Sequence, residues 1–274
     1  RVAVQHATQR RSVGWKVVKP RLTNGAIGYR RADCRAWHRP LAPTPATATH
    51  RQNGTDSRMP PSGEATRTRL IDVGLEMFAS RGVYATPLKA IVEAAGQRNA
   101  SALHYHFGSR DGLLQAIITR HNNEVELRRE DLIAAWPANP DLHLLVVTWI
   151  QPQTKMFETR QGRDFLSVVS QLSDLFQRWG PGHTPPTALH VMEMISDRLT
   201  QIDDPAVRRE RLTRFLDFSV QALGARARRL GRPGSPQLTT DVWVANLVEM
   251  CTGALSASAP SPVPPLPPVP AEPR

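Results

Sequence analysis

The sequence predicts an all-α protein: an N-terminal three-helix helix-turn-helix domain followed by a larger helical domain. Three observations carry this. Apolar residues recur at three-four spacing from Leu70 to Leu255. Glycines, prolines and capping residues divide those runs into helices of ordinary length. Near the N-terminal end, two short runs are separated only by a tight turn at Gly96.

The first helix carries Leu70, Ile71, Gly74, Leu75 and Phe78, and Ser80-Arg81-Gly82 closes it with a glycine suited to the left-handed C-terminal position. Thr86 precedes Pro87, so a hydroxyl cap followed by a first-turn proline predicts a second helix from about Leu88. That helix presents Leu88, Ile91, Val92 and Ala95 on one side and stops at Gly96, which permits a tight reversal. Projecting the third helix at about 100° per residue with Leu103 inward places Ala100 and Phe107 beside it. Ser101 and Tyr105 then point outward, flanked by Ala102 and His104. His106 projects nearer to Leu103 than to Ser101, which suits a packed ring as well as a phosphate ligand.

These side chains fit a reader of double-stranded DNA. Arg98 and Asn99 are expected at the entry of the third helix, where arginine suits guanine edges and asparagine suits adenine edges. Ser109 is expected to cap a fourth helix, with Arg110 in its first turn placed to meet a backbone phosphate. Lys89 and Gln97 complete the candidate contacts, alongside Thr86, Ser101, His104, Tyr105 and His106.

The segments Gly82-Val83-Tyr84-Ala85-Thr86-Pro87-Leu88, Ile91, Ala94-Ala95-Gly96 and Leu103-His104-Tyr105-His106-Phe107-Gly108-Ser109-Arg110 closely resemble the N-terminal domain of TetR-family transcriptional regulators, over roughly residues 66 to 115. The resemblance implies an all-helical homodimer, more often a repressor than an activator. It also implies a C-terminal domain that holds a small ligand and changes the separation of two DNA-reading heads. Two departures stand out. The family usually has Leu-Tyr where this chain has Leu103-His104, and the segment from Gly96 to Leu103 is one residue longer than the commonest form. Tyr105 or His104 is therefore the candidate for the family tyrosine's role.

Beyond Ser109 the chain reads as further helices. Leu113, Leu114, Ile117 and Ile118 begin one that runs to Trp136-Pro137, and Asn139-Pro140-Asp141 caps the next, with Pro152 as a kink. Phe165 to Phe176 form another before Gly180-Pro181-Gly182, Leu189 to Leu199 the following one, and Asp204-Pro205 starts a long helix. The last helix, from Val242 to Leu255, is apolar nearly all round and needs cover from more than one neighbour. Packing of the last two helices against the same pair from a second subunit meets that need, with Leu216, Leu223, Trp243, Val244, Leu247, Val248 and Cys251 as interface candidates. Burial within one monomer is the alternative. In the middle helices, Trp149, Met156, Phe157, Phe165, Phe176, Trp179 and Met192 are candidates to line an apolar pocket for a hydrophobic or amphipathic effector.

The net charge of +11 suggests nucleic acid until its distribution is considered. Residues 1–58 hold 12 Lys and Arg against 2 Asp, so the rest of the chain carries 23 cations against 22 anions. DNA contact must then come from local placement. Four segments follow: a basic disordered leader at 1–58, a helix-turn-helix domain at 59–115, a ligand-binding and dimerisation domain at 116–258, and a Pro-rich disordered tail at 259–274. The first methionine is Met59, so the leader is expected to lie upstream of the native start; its rival role is a basic arm adding non-specific phosphate affinity.

Other classes are disfavoured. His104 and His106 lie about 200° apart on a helix, unsuited to a shared metal. No nucleophile elbow, phosphate-binding glycine loop or acid-base carboxylate pair stands out, so neither enzyme activity nor a cofactor is expected. No stretch suits a membrane span or signal peptide, which predicts a cytoplasmic protein. Cys34 and Cys251 offer no disulfide framework. The reading is a dimeric regulator of a roughly palindromic operator, released by a small effector. The alternatives are a constitutive or architectural binder, or a small-molecule binder whose helix-turn-helix is only structural.

Overall fold

The computed structural model describes residues 63–99, 101–172, 184–234 and 238–261, and all regular structure among them is helical. In chain order the helices are α1 (Gly63–Arg81), α2 (Leu88–Ala94), α3 (Ala102–Phe107), α4 (Arg110–Ala134), α5 (Leu142–Thr154), α6 (Arg160–Val169), α7 (Pro186–Arg198), α8 (Pro205–Leu230) and α9 (Thr240–Ser256). The predicted leader and nearly all of the predicted tail lie outside the described residues, as do Phe176 and Trp179.

Local chemistry sets most boundaries. Gly82 and Gly96 hold φ of +96° and +72°, a region that a Cβ disfavours, and each releases the chain from a helix. Ser109 Oγ accepts from Gly112 N–H, Asp141 Oδ1 from Leu144 N–H and Asp204 Oδ1 from Ala206 N–H, so three expected caps are made. Thr159 and Thr239 cap α6 and α9 in the same way. Pro152 lies inside α5, two residues before its end, where the chain tightens into a 3₁₀ turn at Lys155–Phe157. The expected helix from Phe165 onward ends at Val169, and Leu172 is buried beyond it rather than within it.

α1 to α3 pack against one another and the start of α4 around Leu70, Phe78, Ile91, Leu103, Leu113 and Leu114. α4 continues from this head into a body of α5 to α9, in which α6 lies along α8 and α5 along α9. α1 also packs against α6, giving the head a second seat on the body.

Much of the expected pocket set is core. Trp149, Met156, Phe157 and Phe165 are buried, and Met192 is packed against them at the core's edge. Trp149 donates its indole N–H to Ser219 Oγ at 3.1 Å, and Arg129 lies 5.2 Å over its ring. Arg129 donates to Glu126, which in turn accepts the Thr187 hydroxyl, so a buried cation joins α4 to α7. Such a group is tolerated inside because its charge is paired.

The interface candidates divide. Leu223 of α8 is buried within the single chain, and so are Leu247, Val248 and Cys251, because α5 and α8 already cover that side of α9. These four are therefore corrected from subunit contact to core, the monomer-burial alternative of the sequence reading. Burial pushes the Cys251 thiol up to about 12, which keeps it protonated. Leu216, Trp243 and Val244 are half-buried, with Trp243 edge-on to Phe157. The exposed apolar residues of these helices are instead Phe218, Val242 and Met250.

Among the described residues, no helix is long and apolar enough to cross a membrane, and no group of three or more His, Cys, Asp or Glu could hold a metal ion.

Candidate nucleic-acid interface

The turn between α2 and α3 is built by backbone bonds. Gln97 N–H donates to Val92 O at 3.1 Å, and Ala102 N–H donates to Asn99 O at 3.0 Å. Asn99 Oδ1 accepts from Ser101 N–H at 2.9 Å, a side-chain-closed turn that delays the helix. α3 consequently starts at Ala102, and Arg98 and Asn99 stand in the turn before it rather than at its entry. The acceptor that Asn99 needs for bidentate adenine pairing is already engaged, so its free group here is the amide NH₂. Arg98 is exposed, as is Ser101, whose hydroxyl makes no cap bond.

Along α3, Leu103 is buried and His104 and Tyr105 are exposed, with Tyr105 at 83% the most open large side chain here. Ala102 is buried, a correction to its expected outward flank. His106 is half-buried, with its ring 5.1 Å from Tyr105. Burial and the nearby Arg67 cation hold its pKa below the ordinary value, with Glu64 opposing. A neutral ring can donate a hydrogen bond but brings no charge to a phosphate.

Two predicted phosphate contacts are turned inward. Thr86 is fully buried, and its hydroxyl donates to Gly82 O at 2.7 Å and Met77 O at 3.2 Å, so it neither caps α2 nor faces outward. Arg110 donates through Nη1 to Val83 O and, at 2.8 Å, to Thr86 O, with its guanidinium 5.7 Å from the centre of the Phe78 ring. It clamps the α1–α2 loop to the start of α4. Both assignments are corrected to internal ties.

Lys89 remains exposed, loosely paired with Glu93 at 3.6 Å, and Gln97 is half-buried. Sequence reasoning missed Tyr84, 62% exposed in the loop before α2. An aromatic two residues before the Thr86-Pro87 boundary, outside any helical period, was the available signal. The outward set is thus Tyr84, Lys89, Arg98, Asn99, Ser101, His104 and Tyr105. It offers cationic, amide, hydroxyl and imidazole groups on one short helix-turn-helix, suited to phosphate oxygens and base edges.

Residues 70–117 match the family described as bacterial regulatory proteins, tetR family. A curated relative, the HTH-type transcriptional repressor KstR2 of Rhodococcus jostii (strain RHA1), is 27% identical over 95 residues, covering 35% of this chain and 41% of that protein. The match thus spans well under half of the relative's length. A solved structure, Salmonella enterica GusR, is 15% identical with a TM-score of 0.38, covering 70% of this chain and 96% of that one.

Proposed function

We propose that this chain, which carries the tetR-family domain at residues 70–117, is a sequence-specific DNA-binding transcriptional regulator and not an enzyme. The observation that carries the reading is the exposed row formed by Arg98 and Asn99 in the turn and Ser101, His104 and Tyr105 at α3, within that domain. The similarity to KstR2, a transcriptional repressor, supports a repressor. Binding-site selection on Arg98→Ala and Tyr105→Phe at two salt concentrations tests the reading. Arg98→Ala is expected to cost about 1–3 kcal/mol at particular base pairs, and Tyr105→Phe to weaken many sequences by similar factors. Selection that returns no enriched duplex with the unsubstituted protein would remove the function. A uniform loss for Arg98→Ala would reverse the division of roles.

We propose further that the regulator is a homodimer, because a two-fold operator needs two heads. Its surface is placed on the outer faces of α8 and α9, around Phe218, Val242 and Met250, in line with three exposed large apolar residues on adjacent helices. Val242→Glu with Met250→Glu adds charge at positions 54% and 51% exposed, so each chain should still fold. Sedimentation is expected to report folded monomers with weakened operator binding. A dimer of unchanged affinity would move the interface elsewhere. A hydrophobic or amphipathic effector seated near Trp149 and Met192 would release DNA only through unequal affinity for two dimer conformations.

A further inference from the structure

The C-terminal end of α8 and the start of α9 border an open cleft of about 510 Å³. Arg226, Arg228, Arg229 and Arg232 line it, Leu238 and Trp243 supply an apolar wall, and among the described residues no carboxylate lines it. None of the four arginines makes an ion pair among the described residues, whereas Arg120, Arg160 and Arg214 each pair with a carboxylate at 3.0, 2.6 and 2.8 Å. A helix C-terminus favours cations, but its dipole is equivalent to only about half a charge, so it does not offset four guanidinium groups.

Two of the four are fixed in place. Arg226 is 6% exposed, lies 5.5 Å over the Trp243 ring and donates Nη2 to Leu238 O at 2.8 Å, leaving its buried Nε–H without a partner. Its pKa is lowered by burial and by the neighbouring Arg229 cation. Arg228 donates Nη1 to Ser170 Oγ at 2.8 Å. Arg229 and Arg232 are exposed and stand at the helix end. Two anchored and two free guanidinium groups thus line one cleft, with no ion pair to balance them among the described residues.

We infer that this cleft binds a small organic diphosphate, with the phosphates among Arg228, Arg229 and Arg232 and a flat apolar group against Leu238 and Trp243. A phosphate group supplies several acceptors and the charge that four adjacent cations call for. The adjoining cleft of about 550 Å³ shares Arg228 and Arg232 and is also lined by Glu76 of α1, Asp164 and two further arginines, Arg160 and Arg163, so an anion bound at Arg229 lies close to the seam between body and head. Binding at this cleft is independent of whether the chain reads DNA.

Calorimetric titration of the full chain with ADP and, separately, with inorganic pyrophosphate tests it. Saturable binding of one ADP per chain is expected, at least about tenfold tighter than pyrophosphate. Arg229→Gln with Arg232→Gln should weaken ADP by about tenfold or more. The basic residues 1–58 are present in both proteins and cancel in that comparison. Leu238→Ala, which keeps the carbonyl held by Arg226, should weaken ADP and leave pyrophosphate unchanged. Absence of saturable ADP binding, equal ADP affinity in the double variant, or pyrophosphate binding as tightly as ADP each overturns the site.

Discussion

Arg110→Ala is expected to lower the stability of the DNA-reading head by about 2–3 kcal/mol and to abolish operator binding through loss of structure. The side chain ties Val83 O and Thr86 O to the first turn of α4 and lies against Phe78. Removing it leaves two carbonyls without their charged donor and uncovers an aromatic ring at the centre of the head. Urea unfolding followed by circular dichroism is the direct measurement. Arg110→Lys should recover only part of the loss, since an ammonium cannot reproduce the guanidinium's planar fork. An unchanged unfolding midpoint with a flattened salt dependence of DNA binding would return this arginine to a phosphate contact.

Gly224→Ala should be costly for a steric reason, by about 2–3 kcal/mol. α8 crosses α6 so closely at Gly224 that an added Cβ would overlap the Ser170 side chain and sit 3.0 Å from Leu166 O. Ser170 cannot simply swing away, because Arg228 donates to its hydroxyl and Gln221 to its carbonyl. The two helices would have to separate, loosening the broadest contact in the body. Gly253→Ala is the matched control: its Cβ would meet nothing within 4 Å, and the helix preference of alanine should stabilise α9 by up to about 1 kcal/mol. Equal thermal midpoints for the two variants would show that the α6–α8 crossing yields more readily than its geometry implies.

Helix ends were legible where the deciding atoms are close in sequence. Ser109, Asp141 and Asp204 each accept from a backbone N–H two or three residues on, and Gly82 and Gly96 act through their own φ. Thr86 has the right residue type for a cap, but its hydroxyl is taken by carbonyls of the preceding helix and loop. Arg110 was misread because its acceptors are 27 and 24 residues away, a distance at which spacing says nothing. The position of Arg98 and Asn99 before α3 depended on whether the Asn99 side chain would close a turn, which competes evenly with helix continuation. In α9 the side that carries Leu247, Val248 and Cys251 is covered by α5 and α8 while Val242 and Met250 stay exposed, and an apolar composition cannot distinguish cover from neighbouring helices from cover by a second copy.

α4 is one uninterrupted helix of 25 residues, seated in the head through Leu113, Leu114 and Ile117 and in the body through Val125 and Arg129. At 1.5 Å per residue it is about 37 Å long, so a tilt at one end is enlarged at the other as far as the α1–α6 contact allows. A tilt of about 5° at its body end would displace the other by about 3 Å, close to the rise of one nucleotide step along a DNA strand. A disturbance too small to rearrange the core is thereby enlarged at the head. Whatever moves the body need supply only enough differential binding energy to bias an angle.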